Sequence, residues 1–524
     1  MNINLIIDAP KLIQDEIELV TGAESIAKKI IKAVINNNKN AKNHSLISSA
    51  NKNYFATFIK NNYSNIHVDL YRYYNAYQAF IASADNTLAF IPGISISNLL
   101  NMRNITKANI PVVGLVHNIS QPRHFDALKN ITKTSTAIDS IICPSESSRK
   151  IIENFCELNN LDLKLNLPVI PYGVDLNKFQ PHTDKKTLRK KYNIPESKTV
   201  VLHLSRINPF TKMDIMPMIR NFEVVSKNNP KALLLIVGQA HAKEYFSQVQ
   251  DYVKSQNLTN AIQFIDDVNH DFIEEYYQLS DVFVSLTDNI SENFGLNVIE
   301  AMACGLPIII SDIAGHKDLI TDGEEGFYIP TISSDFVDLD YFFNTCPIMD
   351  YGDITIQSLA LDNLVIKEKM NLLINDIELR NKLGNTARSK ATNNYDMKMM
   401  IANYQAHFEK MLKKANDNQI TNFPDLPHEK INKVYSHNLK NSLKKNTKIK
   451  LTTSGQKAID EQKTPPIFEK HLELFPLVGH VLNCLNNAEL SFQELQANLD
   501  NIDETVLAFN ILFLAKHDFI AILR

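Results

Sequence analysis

Short, continuous runs of branched apolar residues alternate with helix-length segments twice along this chain, and that alternation restricts its fold more than any other feature. In the first half the runs are "SLISS", "IHVDLY", "TLAFIPG", "PVVGLVHN" and "SIICPS". In the second they are "TVVLHLSR", "ALLLIVGQ", "IQFIDD", "DVFVSLTD", "LPIIISD" and "EGFYIP". Strands that are apolar throughout must be covered on both faces, as in parallel sheets with crossover helices. Two such blocks predict two doubly wound α/β domains, and 524 residues are too many for one core. The seam falls at "PVIPYGVDLNKFQP" (168–181), where prolines and Gly173 interrupt the alternation.

Bulk composition excludes several classes. A net charge of −4 with 21% charged residues argues against a wholesale nucleic-acid binder. The cysteines Cys143, Cys156, Cys304, Cys346 and Cys484 are scattered, with no CxxC pair and no His cluster at ligand spacing. Such a set fits a reducing compartment and speaks against a disulfide framework or a structural zinc site. The opening "MNINLIIDAPKLIQDEIELV" lacks a basic region and meets Asp8, Asp15 and Glu16 too early for a signal peptide. No apolar run approaches the roughly 20 residues of a membrane span. A cytoplasmic location is expected.

Past Tyr395, residues 396–413 carry Ile401, Tyr404, Phe408 and Met411 or Leu412 at helical spacing, an amphipathic helix. Residues 414–463 then hold ten lysines against five acids without strong periodicity, so 414–465 is expected to be a basic linker or loose extension. A last unit, 466–524, shows a stripe of Leu474, Val478, Val481 or Leu482, and Leu485. "SFQELQANL" opens a second helix at a Ser cap, with Glu494 placed for a capping box. "DETVLAFNILFLAKH" makes a third, and "DFIAIL" a short strand. The pattern is that of a small, mainly helical, wingless winged-helix unit. Its eight acids against Lys470, Lys516 and Arg524 oppose phosphate binding. It reads as a packing or partner-docking unit, with self-docking on the basic linker and homo-oligomer contact both open.

The chemistry concentrates in "SENFGLNVIEAMACGLPIIISD" (291–312), where Glu292 and Glu300 stand eight residues apart. In a doubly wound fold ligands sit at the carboxyl ends of the strands. Glu292 is then on the loop facing the crevice, and Glu300 lies in the helix that follows. Gly295 lets backbone approach a ligand closely, and the free N–H groups of the helix start suit a phosphate. Two acceptors beside an anion site point to a nucleotide sugar. For this spacing taken alone, a capped surface helix with incidental acids is the plainer reading.

The wider context resembles one family. "ENFGLNVIEAMACGLPII" is similar to the signature of the retaining family-4 glycosyltransferases, whose GT-B fold sets two Rossmann-like domains face to face. "VIPYGVDLNKFQP", "SRINPFTKMD", "LLIVGQ", "GHKDLITDGEEGFYIP", "GLVHNIS" and "VTGAES" resemble further stretches of that family in the same order, across roughly residues 1–413. The resemblance implies an acceptor domain over 1–172, a nucleotide-sugar donor domain over 173–395 and a crossover helix over 396–413. Arg206 and Lys212 would clamp the diphosphate and neutralise the charge that grows as it leaves. Glu300 would hold the ribose hydroxyls and Glu292 those of the donor sugar, while Asn293, Phe294, Gly295 and Leu296 would offer backbone contacts. His117 would contact the donor sugar or the reacting centre, completing an implied catalytic set with Glu292, Arg206 and Lys212.

Gly22 and Glu24 would line the acceptor side, although Thr21 stands where many relatives have another glycine. The implied reaction is sugar transfer with retention, by a front-face route rather than through a carboxylate nucleophile. No cofactor beyond the donor, and no metal, is implied. The one Asp-x-Asp, Asp338-Leu339-Asp340, lies beyond the last core strand. The donor base and sugar, the acceptor (glycan, lipid, protein or small molecule) and peripheral membrane contact stay open. The competing reading is a non-catalytic GT-B scaffold that binds nucleotide sugar or partners. A phosphorylase or epimerase of the same fold is a further rival.

Overall fold

The computed structural model describes residues 3–8, 22–38, 44–47, 68–71, 75–83, 85–117, 119, 121–182, 184–333, 355–424, 443–461, 477–486, 488–500 and 502–523. Two six-stranded sheets form the body. The first contains β1 (Asn4–Asp8), β2 (His44–Ile47), β3 (Val68–Tyr71), β4 (Thr87–Phe90), β5 (Val112–Leu115) and β6 (Ser140–Ile142), in the order β3-β2-β1-β4-β5-β6. The second contains β7 (Thr199–Leu204), β8 (Ala232–Val237), β9 (Ile262–Ile265), β10 (Val282–Ser285), β11 (Ile308–Ser311) and β12 (Gly326–Ile329), in the order β12-β11-β10-β7-β8-β9. All these pairings are parallel. Each sheet therefore reverses its strand order once, between β1 and β4 and between β7 and β10. A doubly wound sheet opens its ligand crevice at that reversal.

Every run expected to be a strand is one, but the expected set omits β1, the central strand of the first sheet. Nothing in "NLIID" distinguishes it from a helix turn by length. Only its partners β2 and β4 settle its state, through registers such as Ile7↔Leu46 and Ile7↔Phe90.

The chain crosses between the domains twice at one place. Val174 N donates to Tyr395 O (2.7 Å) and Met397 N donates to Val174 O (3.0 Å). A Cβ on Gly173 would lie 2.6 Å from Met397 Cα, so only glycine lets the two crossings touch. Three of the helices recur below: α1 (Gly22–Asn37), α2 (Leu296–Ala303) and α3 (Met397–Asp417). Helix α3 returns to the first domain, where Tyr404 and Phe408 are fully buried and Phe408 packs on Phe90 with ring centroids 5.4 Å apart. His407 Nε2 meets Ser140 Oγ at 2.8 Å on the same face.

The C-terminal unit begins earlier than expected. Of the predicted linker, residues 443–461 belong to the unit. β15 (Lys448–Leu451) is the middle strand of a small antiparallel sheet with β16 (Leu490–Ser491) and β17 (Ile520–Ile522); a minor pair, β13 (Thr331–Ile332) and β14 (Ala360–Leu361), lies in the second domain. The helix Thr453–Asp460 follows, capped by Thr452. Ile449 is buried with Val481, Leu495, Leu507, Ile511 and Ile520. Three strands rather than one make the unit α+β. Two lysines from the predicted linker pair with acids within the unit: Lys445 with Glu504 (2.6 Å) and Lys448 with Glu494 (3.1 Å). The capping box at Ser491 and Glu494 is formed. Among the described residues no helix is long and apolar enough to cross a membrane.

Candidate active site

At the reversal of the second sheet, the loops after β7 and β10 are laced together. Asn208 Oδ1 accepts from the amides of Phe210 (2.9 Å) and Thr211 (3.1 Å), curling the β7 loop back on itself. Thr287 Oγ1 donates to Lys212 O (3.1 Å) and Asn289 Nδ2 to Thr211 O (3.0 Å). This lacing brings Lys212 Nζ into an ion pair with Glu292 Oε2, both side chains largely buried. Burial alone would raise the Glu292 carboxyl, but the Lys212 ammonium, nearby His316 and the Phe294 amide hold it at about 2.

Two glycines set the backbone around this pair. Gly295 starts α2 at φ +107°, a conformation that L side chains rarely adopt, and a Cβ there would press on the His316 ring. Gly315 N donates to Glu292 O at 2.7 Å, and a Cβ on Gly315 would lie 2.3 Å from the Asn293 carbonyl. His316 itself is buried, and burial lowers its ring to about 4, so it is neutral beside the ion pair at ordinary pH.

Helix α2 carries Glu300 half-buried under the crevice and is fastened to the end of β7 by Asn297 Nδ2 donating to Leu204 O (2.9 Å). Burial pushes the Glu300 carboxyl up to about 7 despite a hydrogen bond from Tyr277 OH (2.8 Å) and the charges of Lys29 and Lys178. Lys29 belongs to α1, so the first domain faces Glu300. Arg206 is partly exposed, near His241, and has no ion pair among the described residues.

From the first domain comes His117. Tyr172 OH donates to Val116 O (2.8 Å), so it accepts from His117 Nδ1 (2.8 Å), which places the proton on Nδ1 and the lone pair on Nε2. Asn293 joins the two halves: its Nδ2 donates to His117 O (3.1 Å) and its carbonyl accepts from Ser145 Oγ (2.6 Å). Phe294 turns its ring into the interdomain core, edge-on to Tyr172 (5.3 Å) and Tyr395 (6.0 Å), leaving its backbone toward the loop. Leu296 is the first residue of α2.

The structure thus gathers Lys212, Glu292, Asn293, Gly295 and His117 closely, with Arg206 and Glu300 on the flanking elements. Gly22 and Glu24 fall in the first turn of α1, while Thr21, Asp338 and Asp340 lie outside the described residues.

Sequence reasoning missed Tyr277, Asp288, Ser145 and His316. Asp288 is 7% exposed, and burial pushes its carboxyl up to about 7. Its Oδ2 accepts weakly from Asp214 N (3.4 Å), and its Oδ1 is buried without a partner among the described residues. An acid three residues past the apolar strand β10, at a reversal point, was the available signal.

These two raised acids give a pH dependence. A carboxyl raised in the fold favours the native state below its ordinary pKa, and that advantage is lost as pH rises through the folded value. A shift of this size is worth roughly 3–4 kcal/mol when fully shielded, and less at half-buried Glu300. Asp288→Asn should therefore gain stability relative to the wild type as pH rises from about 4 to about 7. Parallel urea titrations across that range test it, and a constant difference between the two proteins would refute the assignment.

Two facing doubly wound domains, with ionisable groups at the reversal point of the second and a histidine edge from the first, define the GT-B class of fold. The structure of the Anabaena protein HepE in complex with UDP has that fold: it superposes with a TM-score of 0.56 over 78% of this chain and 100% of its own, at 16% identity. Residues 184–337, most of the second domain, match the family model of the glycosyl transferases group 1. Alpha-monoglucosyldiacylglycerol synthase of Streptococcus pneumoniae is 28% identical over 189 residues, 35% of this chain and 40% of that protein. D-inositol 3-phosphate glycosyltransferase of Geodermatophilus obscurus is 27% identical over 165 residues, 31% of this chain and 36% of that protein. The chain therefore spans about two fifths of the length of these curated relatives.

Proposed function

We propose that the protein is a glycosyltransferase that moves a sugar from a nucleotide-diphosphate donor to an acceptor hydroxyl with retention at the anomeric carbon and without a metal ion. The observation that supports this best is the meeting of Lys212, Glu292 and the start of α2 at one crevice, opposite His117. In this reading Arg206, Lys212 and the first N–H groups of α2 take up the charge of the leaving diphosphate. Glu300 accepts from the ribose. Glu292, ionised and anchored by Lys212, accepts from the sugar hydroxyls instead of attacking the anomeric carbon. His117 presents Nε2 to the donor sugar, and Gly22 and Glu24 stand on the acceptor side. The departing phosphate takes the acceptor proton on the same face. UDP sugars are the first donors to try, given the UDP held by HepE.

A thermal-shift panel of nucleotide sugars, each run with and without EDTA and followed by donor hydrolysis, tests the proposal. Donors of one base should raise the melting temperature by mass action, and hydrolysis should continue in EDTA. Loss in EDTA with recovery on adding a divalent ion would defeat the metal-free reading. Binding without hydrolysis or transfer would leave a nucleotide-sugar-binding scaffold in its place.

A further inference from the structure

Tyr277 has one polar side-chain atom, and that atom is given to Glu300. The residue belongs to the short helix Ile273–Gln278 and is fully buried. Its ring lies edge-on to Phe179 (5.8 Å between centroids) and tilted against Phe283 (5.8 Å), which fixes where the hydroxyl lies. From there it donates to Glu300 Oε2 at 2.8 Å. Burial and the Glu300 charge push the phenol far up, so it stays protonated and acts as a donor. Packing alone does not account for the hydroxyl. A phenylalanine would fill the space between Phe179 and Phe283 without setting a polar group in the core.

Glu300 keeps some exposure, and its Oε1 has no hydrogen bond among the described residues. A ribose offers two adjacent hydroxyls. A carboxylate receives them best when ionised, because it is then acceptor-only and its bonds are charge-assisted. Burial works against that state and pushes the carboxyl up to about 7, while Tyr277, Lys29 and Lys178 work the other way. Lys29 is exposed on α1, and Lys178 also holds Glu274 (3.3 Å). At the end of α2 the Cys304 thiol is pushed up by burial and by Glu300 and stays neutral, with Arg388, Glu274 and Lys185 nearby. Arg388 itself donates to the Phe179 carbonyl (3.0 Å). Among the described residues, Tyr277 alone hydrogen-bonds the carboxyl.

Given the nucleotide-sugar function proposed for this site, on which the inference rests, we propose that Tyr277 is a positioning residue for nucleotide binding. Its hydroxyl holds Oε2 of Glu300 and leaves Oε1 to receive the ribose hydroxyls. The consequence is a ribose preference that depends on pH. Discrimination against a 2′-deoxyribose needs the ionised carboxyl, so it is weak at low pH and grows as pH rises through the folded-state value. Without the phenol the carboxyl ionises later, and the growth moves to higher pH. Tyr277→Phe keeps the ring, so a purely packing role gives no such displacement.

Titration calorimetry on the full chain with UDP, ADP and GDP, each beside its 2′-deoxy counterpart, tests this from about pH 5.5 to about pH 8.5. Phosphate ionisation is shared within each pair and cancels in the ratio of the two dissociation constants. In the wild type the ratio for the nucleotide that binds should climb to about tenfold as pH passes about 7. In Tyr277→Phe the climb should come about one pH unit later, leaving the ratio about threefold lower than the wild type's at neutral pH. In Glu300→Gln it should be flat. The same climb in Tyr277→Phe as in the wild type would remove Tyr277 from this role and leave Glu300 at the ribose. A wild-type ratio that ignores pH would overturn the inference without any variant. Equal ratios in Glu300→Gln and the wild type, or no binding of any of the three nucleotides, would overturn the nucleotide-sugar reading and this inference with it.

Discussion

Replacing Lys212 by Ala is expected to cost both turnover and stability, and the two losses should separate in a double variant. The ammonium serves two carriers of negative charge: Glu292, which it holds in the free protein, and the diphosphate proposed to bind beside it. Without it Glu292 is a buried, unpaired carboxylate, a situation that costs about 3–5 kcal/mol. Transition-state charge loses a positioned cation at the same time, which lowers kcat/KM by about a hundredfold or more. Lys212→Ala with Glu292→Gln removes the stranded charge, so the melting temperature should recover while activity does not. Activity near normal in Lys212→Ala would remove the residue from the site. A double variant no more stable than the single one would show that the ion pair is not what holds this loop.

The second large effect is expected at a residue with no chemistry of its own. Gly315 lies against the loop of residues 292–294 so closely that a Cβ would stand 2.3 Å from Asn293 C and O, and its amide donates to Glu292 O at 2.7 Å. Backbone on both sides leaves no flexible side chain to move aside. Gly315→Ala should therefore displace residues 292–294, lowering stability by about 1–3 kcal/mol. Because Asn293 and Glu292 both hang on that backbone, nucleotide-sugar affinity should drop by at least about tenfold, one unit of 1.4 kcal/mol. Gly323→Ala is the control. It sits at φ +81° with open space around its Cβ position, so it pays the backbone cost, about 1 kcal/mol, and should leave donor binding intact. Equal loss of binding in both variants would mean that general destabilisation, not the loop, is being read.

How far the sequence spoke for the fold depended on how local each signal was. Most of the recognised strands, β8 and β11 above all, are apolar on both faces, and that property is written in consecutive residues. β15 shows the opposite case. Its Lys448 and Lys450 point outward, while Ile449 is buried and Leu451 partly so. The period of two was present in "KIKL", but the surrounding lysines made the segment read as a solvated linker. In the site, the Glu292–Glu300 spacing and Gly295 were legible because they lie within one loop and helix. Glu292 meets Lys212 across 80 residues, and Glu300 meets Tyr277 through the packing of α2. Such meetings follow from sheet order, which no short motif states. Asp288 and His316 are perturbed by burial, and burial appears only once the sheets are assembled.

The double crossing at Gly173 and Met397 has a consequence for how the halves can move. A single linker leaves one body free to swing, roll and twist about the other. Here two strands pass side by side, tied through Val174 to Tyr395 and Met397, and α3 then locks one of them onto the first domain. Two tied crossings restrict the second domain more than a single linker would, and any opening of the crevice must break the bonds of Asn293 to His117 and Ser145.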